Sequence, residues 1–162
     1  MKNGEAFELI DGDNLEFKGL FIKEVVGSAE EKVIVVAVIG PQSSGKSTLM
    51  NYAFGTQFFT ASGRCTSGIY FTLQRFPDHM KNKAGVKWLL MLDTEGLQSP
   101  ERADDEYDRK IVLFAMLASD VLIINSKGEI NIKMINTLQI CCQSYDLVRN
   151  HGKAPTILYS FG

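Results

Sequence analysis

Apolar runs of strand length alternate with helical patterns along this chain. Residues 33–39 are seven consecutive apolar positions rich in valine, a pattern typical of a strand buried on both faces. Further strands are predicted at 69–76, 87–92, 121–124 and 156–161. Helices are predicted at 46–54, 104–117 and 130–148, and a short lead-in strand and helix at 7–26.

The longest predicted helix, 130–148, carries apolar residues at helical spacing. Those expected to form its apolar face are Ile132, Ile135, Leu138, Cys142 and Tyr145. The alternation of buried strands and helices predicts an α/β fold with a mostly parallel sheet. In such sheets the crossovers are right-handed and ligands bind at the carboxyl ends of the strands.

Composition narrows the class of protein. The chain has 162 residues, enough for one domain with one core, and 45% of them are hydrophobic. Its 17 Lys and Arg against 19 Asp and Glu leave a net charge of −2, which argues against nucleic acid and against an anionic membrane. The longest apolar stretch, 111–124, contains Ser119 and Asp120 and is too short for a bilayer span, so membrane association is not encoded in this segment.

The number and spacing of the cysteines indicate in which cellular compartment the protein works. Cys65, Cys141 and Cys142 are odd in number and form no C-x-x-C pair, which favours a reduced, intracellular setting. The N-terminus mixes charges with few apolar residues and does not resemble a signal peptide. We therefore expect a cytoplasmic protein. Of the adjacent cysteines, one should be buried and the other partly exposed.

A phosphate-binding motif follows the valine-rich strand directly. Residues 40–48 read Gly-Pro-Gln-Ser-Ser-Gly-Lys-Ser-Thr, the G-x-x-x-x-G-K-[ST] loop between a buried strand and a helix. Gly40 and Gly45 let the backbone bend around phosphate oxygens, and the loop N–H groups with the helix N-terminus form an anion-binding nest. Lys46 would reach the β- and γ-phosphates, and Ser47 would offer a hydroxyl to Mg²⁺. A chance match in a turn is the alternative.

A second motif ends the strand at 87–92. There Asp93-Thr94-Glu95-Gly96 follows an apolar run, so Asp93 would hold Mg²⁺ through a water. Gly96 would let its N–H approach a γ-phosphate oxygen, because no side chain intrudes. D-x-x-G is the switch II spelling of GTPases, although alone it also occurs in caps and turns.

Between the motifs lies the polar loop 63–68, Gly-Arg-Cys-Thr-Ser-Gly. A GTPase needs a threonine here whose hydroxyl binds Mg²⁺ and whose backbone senses the γ-phosphate. Thr66 is the candidate, with Thr60 as a weaker rival. A plain polar loop is the alternative interpretation.

At these residues the chain resembles the large GTPases of the dynamin superfamily. Residues 64–70 and 93–97 look most like the very large interferon-inducible GTPases, with guanylate-binding proteins and atlastins close behind, and 124–130 also look like theirs. The resemblance spans roughly residues 5–160. It implies a P-loop NTPase three-layer fold that binds GTP or GDP with Mg²⁺, hydrolyses GTP and forms a nucleotide-dependent homodimer through the G-domain face.

The resemblance also assigns roles to residues of this chain. Those that would bind nucleotide are Gly40, Gln42, Ser44, Gly45, Lys46, Ser47, Thr48 and Gly96. Those that would hold the metal are Ser47, Thr66 and Asp93. Those that would serve hydrolysis are Ser43, Lys46, Thr66 and, through a water, Glu95.

The chain departs from the families that it resembles at positions that matter for hydrolysis. Guanylate-binding proteins carry an arginine where this chain has Ser43, and Gln42-Ser43 instead looks like dynamin, where the serine helps to position water and a monovalent cation. Leu97 stands where small GTPases place a catalytic glutamine, and it cannot orient water. Arg64 could supply a positive charge to the transition state, or be an ordinary exposed arginine.

The base-reading motif of such GTPases follows the next strand, here 156–161, and the chain stops at Gly162. We therefore interpret residues 1–162 as the N-terminal part of a single G domain, incomplete at the C-terminal end and truncated before the guanine-specificity motif. The preference for guanine over adenine is inferred from the D-x-x-G segment and from the resemblance. The alternatives are a nucleotide-binding scaffold or switch with negligible hydrolysis and, less favoured, an ATPase or nucleotide kinase of the same fold.

Overall fold

A computed structural model describes residues 4–18, 31–60, 66–76, 85–100, 102–148 and 154–161. The strands of the described part are β1 (Phe7–Ile10), β2 (Lys32–Ile39), β3 (Ile69–Arg75), β4 (Val86–Thr94), β5 (Val121–Ser126) and β6 (Thr156–Phe161). Its helices are α1 (Lys46–Phe54), α2 (Asp105–Ala118) and α3 (Ile132–Val148). The helix expected within 7–26 lies largely outside the described residues. No helix in these ranges is long and apolar enough to cross a membrane.

The strands form one sheet in the order β1-β3-β4-β2-β5-β6. β2 pairs in parallel with β4 and β5, and β5 with β6, whereas β3 runs antiparallel to both β4 and β1. The predicted mostly parallel sheet is thus confirmed. The register pairs Val38 with Asp93 and Ile39 with Ile124, so the carboxyl ends of the three central strands meet at one edge.

Alternate residues of β2 face two separate cores. Ala37 and Ile39 belong to a large cluster that includes the buried faces of α2 and α3. Val36 and Val38 belong to a smaller cluster with Met50 of α1. Because successive side chains of a strand point to opposite faces, the central strand is covered by helices on both sides. This arrangement confirms the three-layer fold.

Helix α3 corrects the expected apolar face. Its buried residues are Met134, Thr137, Cys141 and Tyr145. Ile132 is 70% exposed, Ile135 is 46% exposed and Cys142 is exposed, so most of the predicted set was wrong. The helix carries apolar residues around much of its circumference, and therefore periodicity alone does not select the face. The expectation of one buried and one exposed cysteine in the adjacent pair is confirmed.

Side-chain caps fix where α2 and α3 begin. The Asp104 carboxylate accepts hydrogen bonds from the N–H groups of Glu106 and Tyr107. The Asn131 side-chain oxygen accepts one from the Met134 N–H at 2.8 Å. Such bonds satisfy N–H groups that have no partner within the helix. The caps therefore hold the first turns of both helices beside the carboxyl edge of the sheet.

Candidate functional site

The loop between β2 and α1 folds around the side chain of Lys46. Lys46 is buried, and its Nζ donates hydrogen bonds to the carbonyl oxygens of Gly40 and Pro41, both at 3.1 Å. Ser44 is buried, whereas Ser43 and Thr48 are exposed. The ammonium group thus lies inside a loop of backbone amides at a helix N-terminus, an arrangement that attracts anions.

Three predicted metal ligands converge at the carboxyl edge of the sheet. Ser47 Oγ donates to Asp93 Oδ2 at 2.6 Å, and Thr66 Oγ1 donates to the same oxygen at 3.4 Å. These side chains come from α1, from the segment before β3 and from β4. The structure therefore brings together residues that are far apart in sequence, and it favours Thr66 over Thr60 as the threonine of this site.

The Asp93 carboxylate is buried at the carboxyl edge of the sheet. Asp93 is 1% exposed, and its Oδ1 has no hydrogen-bond partner among the described residues. Burial raises the pKa of Asp93, while the Ser47 hydrogen bond and the Lys46 charge act in the opposite direction. A buried carboxylate with a free lone pair beside two hydroxyls fits Mg²⁺, which binds few protein oxygens and takes the rest from water and phosphates.

The D-x-x-G segment is tied to the phosphate loop by backbone hydrogen bonds. The Gln42 N–H donates to the Leu97 carbonyl at 2.9 Å, and the Leu97 N–H donates to the Gly40 carbonyl at 3.0 Å. Between these bonds, a side chain at Gly96 would place its first carbon 2.4 Å from Gln42 Cα. Glycine is therefore required at 96 by the close approach of the loop. The Leu97 side chain is 2% exposed and belongs to the core.

Glu95 lies one residue before this contact, and its carboxylate faces other groups of the protein. Oε2 accepts hydrogen bonds from the Gly68 N–H at 2.7 Å and the Tyr107 hydroxyl at 2.6 Å. Oε1 accepts one from Arg102 Nε at 3.1 Å. The predicted water-mediated role of Glu95 must therefore compete with three bonds inside the protein.

Asn125 is a site residue to which the sequence reasoning assigned no role. It lies near the end of β5, is 3% exposed, and its Nδ2 donates to the Ser44 carbonyl at 2.8 Å. Its backbone carbonyl lies so close to Gly40 that a side-chain carbon there would be 2.0 Å away. The available signal was a polar residue ending an apolar strand, the same signal that identified Asp93.

Part of the loop before Thr66 lies outside the described residues. Gly63, Arg64 and Cys65 belong to it, so the suggested role of Arg64 in hydrolysis stays a prediction. The predicted nucleotide-binding residues other than Gly96, which follows β4, lie in the loop after β2 or in the first turn of α1.

Comparison with known proteins adds independent information. A family model described as URGCP-like GTPase domain matches residues 1–161. The human interferon-induced very large GTPase 1 is 32% identical over 166 residues, which cover 98% of this chain and 7% of that protein. Protein SEY1 of Yarrowia lipolytica is 39% identical over 134 residues, covering 74% of this chain and 14% of that protein. The chain thus spans a small part of each relative's length.

A plant relative and a solved structure extend the comparison. Protein ROOT HAIR DEFECTIVE 3 homolog 1 of Arabidopsis thaliana is 36% identical over 132 residues, which cover 74% of this chain and 16% of that protein. A crystal structure of an Era variant from Aquifex aeolicus bound to GDP·AlF4⁻ superposes with a TM-score of 0.55. At 19% identity, covering 79% of this chain and 40% of that one, this likeness shows the fold alone.

Proposed function

The chain belongs to the family of URGCP-like GTPase domains, and from this membership we propose that it binds GTP together with Mg²⁺ and hydrolyses it. The resemblance of its motifs to those of the very large interferon-induced GTPases is confirmed by the family match and by the human relative. Guanine as the base is proposed from these relatives and from the D-x-x-G segment.

One observation carries the proposal. Ser47 and Thr66 both donate hydrogen bonds to Asp93 Oδ2, while Asp93 Oδ1 stays buried and unpaired among the described residues. Leaving a buried acceptor unpaired costs about 1–3 kcal/mol, and a cation-bound water that donates to that oxygen would offset the cost. Because the phosphate loop lies beside this buried carboxylate oxygen, the site suits a nucleotide that carries a metal ion.

The loop residues have distinct tasks in this proposal. The loop residues Gly40, Gln42, Ser44 and Gly45 surround the phosphates in this proposal, with Thr48 in the first turn of α1. The N–H groups of Gln42 and Ser44 donate to the Leu97 and Pro41 carbonyls in this structure, so both bonds would have to open for these two amides to bind phosphate. The Lys46 ammonium stabilises negative charge on the β- and γ-phosphates. Ser47 and Thr66 would hold the metal with their hydroxyls and Asp93 would hold it through a water, while Gly96 would approach the γ-phosphate without a side chain.

Hydrolysis is attack of water on the γ-phosphate, and the protein contributes mainly orientation and electrostatics. Bound Mg²⁺ would neutralise the negative charge that develops on the phosphate oxygens. Ser43, which is exposed with a φ of 60°, is proposed to position the water together with the Thr66 backbone. Lys46 stabilises the transferred group. Glu95 acts through a water in this proposal, which requires that one of the three hydrogen bonds that its carboxylate accepts be opened.

A switch with negligible hydrolysis is the second candidate. Two observations favour it: the Leu97 side chain is buried in the core, and the Glu95 carboxylate already accepts three hydrogen bonds. Neither residue then orients water in this conformation. In either case we propose a cytoplasmic protein that pairs through its nucleotide face, where Ser43 and Thr48 are exposed.

Binding is the first test. Fluorescent GTP and ATP analogues are titrated into the protein with Mg²⁺ and with excess chelator. We expect Mg²⁺-dependent binding that prefers GTP, and we expect Lys46→Ala to weaken it at least tenfold, about 1.4 kcal/mol. Lys110→Ala is the matched control, because Lys110 is an exposed lysine of α2 paired with Glu106. Preference for ATP, or equal binding by Lys46→Ala, would reject the proposal.

Turnover separates the two candidates. Release of phosphate from GTP is measured over a range of protein concentrations, and Ser43→Ala is compared with wild type. A rate that rises with concentration and falls in the variant supports a GTPase that works as a dimer. Tight binding without measurable release at any concentration supports the switch.

A further inference from the structure

The loop that carries Thr66 is joined to α2 through a single carboxylate. Glu95 and Gly68 are bonded twice: the Glu95 N–H donates to the Gly68 carbonyl at 2.7 Å, and the Gly68 N–H donates to Glu95 Oε2 at 2.7 Å. Gly68 lies two residues after Thr66. Glu95, two positions after Asp93, therefore holds the backbone next to Thr66, the threonine at the predicted metal site.

The same carboxylate is held from the other side by α2 and the loop before it. Tyr107, in the first turn of α2, donates its hydroxyl to Glu95 Oε2 at 2.6 Å. Arg102 donates to Oε1 at 3.1 Å and stacks on the Tyr107 ring, with 4.0 Å from the guanidinium carbon to the ring centroid. Hydrogen bonds to a charged acceptor are roughly twice as strong as neutral ones. Glu95 and Tyr107 are both buried, so water competes little for these bonds.

From this geometry we propose that Glu95, Tyr107 and Arg102 form a latch that holds Thr66 close to Asp93 and so favours triphosphate over diphosphate. The inference rests on the proposed function and deepens it. Thr66 itself makes only a 3.4 Å bond to Asp93, too long to fix the loop, whereas the bonds to Gly68 two residues on are short. Glu95 is in this view a positioning residue that acts through Gly68.

The latch has a consequence for ligand preference. A diphosphate leaves the γ-phosphate position empty, so its binding depends mainly on the phosphate loop around Lys46. A triphosphate with its metal also needs Thr66 in place. Weakening the latch should therefore weaken binding of the triphosphate and leave the diphosphate almost unchanged. Burial raises the pKa of Tyr107 well above its usual range, with the Glu95 hydrogen bond acting in the same direction, so the hydroxyl stays a donor at working pH.

Tyr107→Phe tests the latch, because it removes one hydroxyl and keeps the ring under Arg102. Tyr52→Phe is the matched control, since Tyr52 is 94% exposed on α1. Affinities for GTPγS and GDP are measured with Mg²⁺ in the full-length protein. We expect Tyr107→Phe to weaken GTPγS about tenfold, the size of a charge-assisted hydrogen bond, and GDP less than about twofold. Glu95→Gln should act similarly, and the double variant should lose little more than either alone.

A second readout needs no nucleotide. Hydrogen–deuterium exchange of the segment that follows Thr66 should be faster in Tyr107→Phe than in wild type, while the segments of β2 and β5 keep their protection. If wild type binds neither nucleotide, the proposed function fails, and this exchange still decides whether the latch exists.

The latch is overturned by either of two results. In one, Tyr107→Phe matches wild type in hydrogen–deuterium exchange and in the ratio of its affinities for GTPγS and GDP. This result would overturn the latch even if Glu95→Gln slows turnover, because Glu95 would then act only by positioning water. In the other, both nucleotides weaken in parallel and all segments exchange faster, so that Tyr107 supports only global stability.

Discussion

At the scale of single residues, support for the phosphate loop comes from a side chain in another strand. Asn125 donates to the Ser44 carbonyl from β5, the strand beside β2. Because this contact joins positions 81 apart in sequence, no local motif encodes it. What the sequence does provide is the polar residue at the end of an apolar run. Its partner becomes visible only when the strand order is known.

Asn125→Ala should therefore weaken nucleotide binding. Loss of the amide leaves a buried carbonyl without its partner, which costs about 1–3 kcal/mol and corresponds to a rise in Kd of about fivefold or more. Asn51→Ala is the matched control, because Asn51 Nδ2 donates to the Phe58 carbonyl and its Oδ1 accepts two hydrogen bonds away from the loop. Both variants should unfold at lower urea concentrations than wild type. Equal affinity of Asn125→Ala and Asn51→Ala for nucleotide would contradict the role of Asn125.

Asp108 should make stability depend on pH. It is 6% exposed, and burial raises its pKa above the usual 3.8, although the Gln98 N–H bond at 2.8 Å opposes the shift. A carboxyl whose pKa is higher in the folded state holds its proton more tightly there, so the free energy of unfolding falls as pH rises from 3.8 through the raised pKa. Asp108→Asn lacks this titration.

Urea unfolding of Asp108→Asn and wild type at a series of pH values measures the effect. The difference in unfolding free energy, variant minus wild type, should increase as pH rises through that window and be constant above it. Asp146→Asn, at an exposed position of α3, serves as the control. A difference for Asp108→Asn that does not change with pH would refute the prediction.

At the scale of elements, the ends of apolar runs were predicted well and the faces of helices less well. The predicted bounds of α1 and β6 are those observed, because glycine or proline stands next to each. β4 continues to Thr94, which carries Asp93 into the strand rather than after it. The face of α3 was missed since packing against α2, not periodicity, decides which apolar residues of α3 are buried.

The start of α3 offers a prediction at this scale. Asn131 caps the helix through Met134 and also exchanges two amide hydrogen bonds with Gln98, at 2.9 and 3.1 Å. Asn131→Ala should lose about 0.5–2 kcal/mol of stability, as capping residues do. Asn131→Asp keeps an oxygen for the cap and loses only the donor to Gln98, so it should lose less. Thermal unfolding compares them, and equal losses would show that the cap contributes nothing.

At the scale of the whole molecule, the sheet gathers its polar groups at one buried edge. The carboxyl ends of β2, β4 and β5 carry the phosphate loop, Asp93 and Asn125, while alternate residues of the same strands fill both cores. Sequence patterns predicted this edge because parallel strands end together. They could not predict the bonds from Glu95 to Gly68 and Tyr107, since those depend on how the β3 segment and α2 meet above the sheet.

Asp93 is buried, and its Oδ1 has no partner among the described residues, so we infer that the fold gives up stability to keep its site. Asp93→Asn removes a charge that burial disfavours, so the nucleotide-free protein should gain about 0.5–2 kcal/mol of stability. Wild type should gain more when ligand is added: at 100 times Kd, GTPγS with Mg²⁺ stabilises by about 2.7 kcal/mol. The variant should gain little from the same addition, so thermal unfolding with and without ligand should reverse the order of the two proteins. A variant less stable than wild type in both conditions would mean that the Ser47 and Thr66 bonds to the carboxylate outweigh its desolvation, and that the site is structural as much as functional.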